Sequence, residues 1–258
     1  MLHQNYKGEN RMKDKDLEQL GLKIVCDSAY DLAKHDKEGF IMLRRNGFGA
    51  SDSSVLLGVN PFLDTKELIE QKCATGVTEE ELAVGEKENV RKGADLEPLI
   101  LQKFEEWSGF ETYKPDAMYQ IELHPWLTVN FDGIIQLDKT YIPVEAKYVS
   151  PYANKYWIRT KAIKQLHEGF PVRCAGRDIK AHILETAEIC GIPPYYFTQV
   201  QQQLLALQAP FGYLVGLFDK GWEIGVYKIF ADTVTQNALL DVSKETWETI
   251  AERKKVGN

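Results

Sequence analysis

Three acids and one lysine stand at spacings that suit hydrolysis of a phosphodiester. Glu97 lies in Ala-Asp-Leu-Glu-Pro, Asp132 in Val-Asn-Phe-Asp-Gly, and Glu145 and Lys147 flank Ala146. Two or three carboxylates hold a hard divalent cation such as Mg2+, and a lysine beside them stands next to the attacking water. Residues 141–149 alternate and are rich in β-branched and aromatic side chains, which predicts a strand. Residues two apart on a strand share a face, so Glu145 and Lys147 point the same way, roughly 7 Å apart. Both are expected to face a solvent-filled cleft, with Val144, Ala146 and Tyr148 turned into the other layer. Residues 128–132 predict a preceding strand. The stretch 133–140, with Asp138-Lys139 as a turn signal, folds the chain back and sets Asp132 beside Glu145. Pro143 belongs near the start of its strand. A Glu-x-Lys tripeptide alone is usually a solvated strand face, and the two upstream acids are what give it chemical content.

The elements that must position these groups follow from periodicity and caps. Gly47 to Ser54 is a glycine- and hydroxyl-rich turn entering an apolar stretch, where Ser51 or Asp52 is expected to cap a helix. Asp64 and Glu67 have capping-box spacing and open a helix to about residue 75, stopped by Gly76. A helix over residues 93–108 carries the stripe Leu96, Leu99, Ile100, Phe104 and Trp107, with Pro98 in its first turn and Glu97 on the stripe's border. An ordinary first-turn glutamate favoured by the helix dipole is the bland account of Glu97. Residues 112–123 carry mixed strand signals. Helices are predicted over 181–190, ended by Gly191 and the following prolines, and over 195–207, with Val200, Leu204 and Leu207 on one face. Glutamines crowd this helix at 199 and 201–203, and the bland account of helix glutamines is solvation. A hairpin over 211–218 and 222–230 and a last helix over about 232–255 complete the chain.

Composition narrows the class. At 258 residues the chain can bury a full core, as one large α/β domain or two small ones. No low-complexity linker divides it, so the expectation is a mobile arm or a short first helix over residues 1–18 and a single domain over 19–258. No apolar run is long enough to span a membrane and the N-terminus lacks a signal core, so a cytoplasmic location is expected, with no membrane partner. The four cysteines (Cys26, Cys73, Cys174, Cys190) and five histidines (His3, His35, His124, His167, His182) show no metal-ligand spacing. A net charge of −7 counts against non-specific DNA binding through the bulk surface. It leaves room for a local basic groove built from Arg44-Arg45, Arg91-Lys92 and the stretch 155–164.

Four separated blocks carry a resemblance. They are 43–52 (LRRNGFGASD) with 57–61 (LGVNP); 93–98 (GADLEP); 124–127 (HPWL) with Phe131-Asp132-Gly133 and 144–147 (VEAK); and 196–201 (YFTQVQ). In this order the chain resembles the YqaJ-like viral recombinase family, the lambda-exonuclease-type branch of the PD-(D/E)XK nucleases, over roughly residues 40–230. The resemblance implies an α/β, restriction-endonuclease-like core, a central mixed β-sheet flanked by helices. It implies that Glu97, Asp132 and Glu145 face metal, with the Ala146 carbonyl a further ligand. Lys147 then orients or activates the water, Gln199 is the family's active-site glutamine, and Arg44 and Ser51 grip DNA phosphate near the entering 5′ end. Phe131 stands where the family usually has proline. The scattered cysteines set the chain apart from iron–sulfur relatives.

The function so implied is a Mg2+-dependent deoxyribonuclease, with Mn2+ able to substitute. It is expected to be a 5′→3′ exonuclease on double-stranded DNA ends in phage-type recombination, in a bacterial or phage-infected host cell. Its implied partners are DNA ends and a single-strand annealing protein, and some relatives assemble as homo-oligomeric rings. The competing readings are an endonuclease or 3′-directed nuclease of the same superfamily, and a DNA-end-binding module without catalysis.

Overall fold

A computed structural model describes residues 14–84, 87–158, 178–219 and 221–256. Residues 1–13 of the expected arm, the part of the basic stretch beyond residue 158, and Cys174, His3 and His167 lie outside the described residues. In chain order the helices are α1 (Asp14–Glu18), α2 (Ala29–His35), α3 (Lys37–Arg44), α4 (Ser53–Leu56), α5 (Thr65–Cys73), α6 (Glu79–Val84), α7 (Glu88–Ser108), α8 (Ile179–Cys190), α9 (Pro194–Leu207) and α10 (Thr233–Val256). The strands are β1 (Leu22–Cys26), β2 (Met118–Ile121), β3 (His124–Val129), β4 (Gly133–Leu137), β5 (Thr140–Val149), β6 (Phe211–Phe218) and β7 (Glu223–Phe230).

The central sheet runs β4-β5-β6-β7. β5 lies parallel to β6, and the two outer pairings are antiparallel. A parallel neighbour needs a crossover connection, and α8 and α9 lie between β5 and β6 in the chain. α7 packs on β5, β6 and β7, and α9 on β3, β5 and β6. The two helices take opposite faces. Phe104 of α7 meets the ring of Tyr213, the β6 partner of Val144, whereas the glutamines of α9 reach Glu145, one residue on. Val144, Ile142 and Leu214 are buried between these layers. A second sheet, β1-β2-β3, is antiparallel, and the isolated bridge from Phe48 to Leu127 runs beside it.

Several local expectations change. The strand predicted over 128–132 ends at Val129, and β4 begins at Gly133. The chain reversal is therefore a two-residue hairpin at Asp138-Lys139, in which Asp138 takes a left-handed φ of 53°. Pro143 is the fourth residue of β5, opposite Ile134. α7 starts five residues earlier than expected, at Glu88, which puts Pro98 in the helix interior. Proline there removes the bond to the carbonyl four residues back, and burial of Ile100, Leu101 and Phe104 offsets that cost. Trp107 leaves the stripe and is 47% exposed. α5 ends at Cys73 with Ala74 extended, before Gly76 is reached. Its Asp64–Glu67 capping box forms as expected. Gly191, at a φ of 72°, closes α8.

The turn over residues 43–52 is held by buried charge. Lys72 of α5 donates to the carbonyls of Arg44 and Gly47 at 2.8 and 2.7 Å and pairs with Asp52 at 2.7 Å. Asp52 also accepts the Gly49 amide at 3.0 Å, so neither it nor Ser51 caps α4. Burial opposes the Asp52 charge, but Lys72 and Arg44 outweigh it and hold the carboxyl below its ordinary range. Removing one partner of a buried pair strands the other. Lys72→Met should therefore lower stability by about 3–5 kcal/mol in urea unfolding, and Asp52→Asn in the same chain should restore part of the loss. A loss under about 1 kcal/mol, as exposed pairs give, would show the pair does not hold this turn.

Candidate active site

Asp132 comes directly before β4, and its Oδ2 accepts the backbone N–H of Ala146 at 2.9 Å. That bond fastens the first acid to the strand carrying the other two charged groups. Glu145 and Lys147 share a face of β5, as their spacing predicts, and form an ion pair with each other. Lys147 Nζ also lies 3.9 Å from Asp132. Contrary to expectation, Glu145 is not open to solvent; it is 1% exposed. Two side chains of α9 close over it. Gln199 donates to its Oε1, and Gln203 donates to its Oε2 at 2.6 Å.

Solvation, the bland account of the α9 glutamines, fails for the same reason. Gln201, Gln202 and Gln203 are buried, and each amide joins separate elements. Gln202 accepts from Ser53 at 2.6 Å and donates to the carbonyls of Phe48 and Thr128 at 3.0 and 2.8 Å. Gln201 bonds the Phe230 carbonyl and the Asp232 amide. A buried amide must be satisfied, and a helix crossing under a loop and two strands offers the partners. Gln203 is the site residue that sequence reasoning missed; its signal was position, four residues and one helical turn beyond Gln199.

Glu97 arrives from α7 and is held by Lys114 Nζ at 2.5 Å. Lys114 lies 3.7 Å above the ring of Tyr30. Arg44 donates to Ser51 Oγ at 2.7 Å. Its neighbour Arg45, expected to share a DNA groove, is buried instead, bound to the carbonyls of Ala74 and Gly76 and to Glu81. One cleft of about 240 Å³ is lined by Arg44, Ser51, Glu97, Asp132, Glu145, Lys147 and Gln199 together with Tyr30 and Lys114. The seven side chains that the resemblance assigns to the site thus line one cleft, whereas Arg45, Arg91 and Lys92 are not among its lining. Ala146 joins through its backbone. In an extended strand a residue's N–H and C=O project to the same edge, so its carbonyl lies on the edge that faces Asp132.

The electrostatics are those of crowded like charges. Burial raises the Glu145 carboxyl to about 7, and the Asp132 charge adds to this against the pull of Lys147 and Gln203. Burial and Asp132 also raise Glu97. Burial works against the Lys147 charge, but Glu145 and Asp132 more than compensate and push its pKa up. Among the described residues no three acidic, histidine or cysteine side chains close into a ready-made metal cluster; ammonium groups supply the positive charge instead. The donor chemistry still suits a hard divalent cation, being all oxygen, with the Asp132 charge adding to burial in raising Glu97 and Glu145. Gln203 Oε1, buried beside them, has no hydrogen-bond partner among the described residues.

The mixed sheet with helices on both faces is the restriction-endonuclease-like, PD-(D/E)XK core. It matches the crystal structure of an alkaline exonuclease (LHK-Exo) from Laribacter hongkongensis with a TM-score of 0.52 at 15% identity, covering 83% of this chain and 94% of that one. LHK-Exo in complex with dAMP gives 0.51 at 14% identity, over 85% and 97%. At these identities the likeness establishes the fold. The YqaJ-like viral recombinase domain matches residues 39–206, more than half the chain, and this chain belongs to that family. An uncharacterized protein YqaJ of Bacillus subtilis is 28% identical over 121 residues, 47% of this chain and 36% of that protein. The match thus spans about a third of that relative's length. Among the described residues no helix is long and apolar enough to cross a membrane.

The raised Glu145 carboxyl predicts a pH dependence. The unfolded chain releases this proton near the ordinary value of 4.5, whereas the folded chain holds it to about 7. Stability should therefore fall as pH rises through that window. Lys147 adds no slope there, because its raised value only matters above 10.5. In chelator, the urea midpoint of the wild type should drop from pH 5 to pH 7.5, and Glu145→Gln should flatten the drop. Parallel profiles for the two proteins would contradict the assignment.

Proposed function

We propose that this chain is a metal-dependent deoxyribonuclease that degrades double-stranded DNA from 5′ ends. The observation that carries the reading is the meeting of Asp132, Glu145 and Lys147 with Glu97, Gln199 and the Arg44–Ser51 pair in one cleft. Membership of the recombinase family and the fold shared with an alkaline exonuclease support it.

Glu97, Asp132, Glu145 and the Ala146 carbonyl are the groups that would hold Mg2+, or Mn2+ in its place. Such an ion, when bound, supplies Lewis-acid charge to the scissile phosphate and eases deprotonation of water. Gln199 and Gln203 fix the Glu145 carboxylate by a hydrogen bond to each oxygen. Asp132 is oriented by the Ala146 amide. Lys147, an ammonium between two acids, donates to the attacking water and holds it in line with the phosphorus. Arg44 offers its remaining guanidinium donors, and Ser51 its hydroxyl, to a terminal 5′ phosphate. A phosphate held there would leave the next linkage at the acids, which makes digestion start at ends and run 5′→3′. The role in recombination, with a single-strand annealing protein and a ring-shaped oligomer, remains part of this proposal.

The test is incubation with end-labelled linear and closed-circular duplex. Linear DNA should be digested with Mg2+ or Mn2+, with Ca2+ supporting binding better than turnover, and EDTA should stop the reaction. Lys147→Ala should reduce cleavage at least 100-fold, on the order expected for loss of a water-positioning group. Cleavage that survives EDTA would remove the metal mechanism, and wild-type rates in Lys147→Ala would remove the role of the lysine.

Polarity has its own readout. Wild-type protein should prefer 5′-phosphorylated over 5′-hydroxyl ends, and Arg44→Ala should erase that preference more than it weakens overall binding. Equal loss on both end types, seen mainly as a change in salt dependence, would reduce Arg44 to general attraction for the backbone. Rapid cutting of closed circles, or release of 3′ label first, would point to an endonuclease or a 3′-directed enzyme.

A further inference from the structure

A chain of aromatic rings leaves the cleft at Lys147. The Lys147 ammonium lies 5.5 Å from the centre of the Tyr196 ring. Tyr196 meets Tyr195 edge-on at 4.5 Å, and Tyr195 meets Phe62 at 6.0 Å. Both tyrosines belong to the first turn of α9, the helix that carries Gln199. Phe62, at the outer end, is 81% exposed.

The loop presenting Phe62 is pinned. Asn60 Nδ2 donates to Ser54 Oγ at 2.8 Å, and its Oδ1 accepts the amides of Phe62 and Leu63 at 2.8 and 3.0 Å. The Asn60 amide bonds the Ser54 carbonyl at 3.0 Å. Leu63 turns inward against the core while Phe62 turns out. A large apolar ring held in water on a fixed loop, at the outer end of a chain of rings that starts at Lys147, suits one kind of partner. That partner is a strand whose terminal phosphate goes to Arg44 and Ser51 and whose flat bases need an apolar surface.

We propose that Phe62, Tyr195 and Tyr196 form a stacking platform for unpaired bases of the DNA strand next to the scissile linkage, with Phe62 as its outer contact. The inference rests on the nuclease reading and deepens it: the preferred substrate is an end with a few unpaired nucleotides, whether frayed or a short flap. Stacking on aromatic rings is tolerant of base identity, so the platform selects unpaired structure and not sequence.

The experiment uses the full chain with Ca2+ in place of Mg2+. The probes are duplexes carrying 2-aminopurine in a short unpaired 5′ end, and matching blunt duplexes closed by G·C pairs. The proteins are the wild type, Phe62→Ala and Phe62→Trp, each checked by thermal melting and by solution mass. Phe62→Ala should bind the unpaired end roughly tenfold more weakly and lose part of the fluorescence quenching, Phe62→Trp should keep both, and the blunt duplex should respond less. Equal binding of the unpaired end by wild type and Phe62→Ala would overturn the proposal. So would a change of solution mass in Phe62→Ala, which would assign the ring to contact between copies of this chain. Failure of the wild type to cleave any DNA when Mg2+ is restored would sink the nuclease reading; cleavage in Mg2+ with a Phe62→Ala that binds the unpaired end like wild type in Ca2+ would sink the platform alone.

Discussion

A carboxylate almost sealed from water, beside a second carboxylate, is the constraint on which the rest of this structure depends. Glu145 can be charged there only if donors are brought to it. Lys147 comes from its own strand, and Gln199 and Gln203 come from a helix that must lie directly above. The placement of α9 across β5 and β6 follows from that demand as much as from apolar packing. The same helix buries Val200, Leu204 and Leu207. A half-satisfied network would be worse than an apolar core, so the glutamine run on α9 is structural and chemical at once.

The cleft's far wall is tied by a second buried charge. Lys72 threads the turn over 43–52 by two carbonyls and Asp52. With Arg45 bound to the loop after α5 and to α6, Arg44 is the arginine of the pair left facing the cleft. Adjacent arginines thus have opposite fates, one holding the scaffold and one lining the cleft. Gln202 links this turn to β3 through Phe48 and Thr128. The Arg44–Ser51 pair and the acidic group are therefore built on one continuous polar framework, and the distance between them is set by packed structure and not by a loose loop.

Much of the local structure was legible because its causes are local. The Asp64–Glu67 box, the β6–β7 hairpin, the glycine closing α8 and the shared face of Glu145 and Lys147 all depend on neighbours within a few residues. The failures share the opposite cause. Pro98 in a helix interior violates propensity, and tertiary burial of its neighbours overrides it. β1 gave too short a signal to read, and it exists through pairing with β2, a strand nearly a hundred positions on. Arg45 and the glutamines looked like surface polar groups and Asp52 like a helix cap, since a sequence shows a polar residue but not the partners that pay for its burial.

By itself the sequence determined the residue types of the candidate site, their order, and the strand that aligns Glu145 with Lys147. The period of two and the i+2 geometry are properties of any extended chain. Only the tertiary structure decided that Glu97, Arg44, Ser51 and Gln199, from three other segments, face the same cleft, and that Glu145 is buried while Phe62 is bare. Those outcomes depend on how α7 and α9 cross the sheet. The crossing is fixed by interdigitated side chains and buried hydrogen bonds between residues far apart in the chain, and no local pattern encodes them.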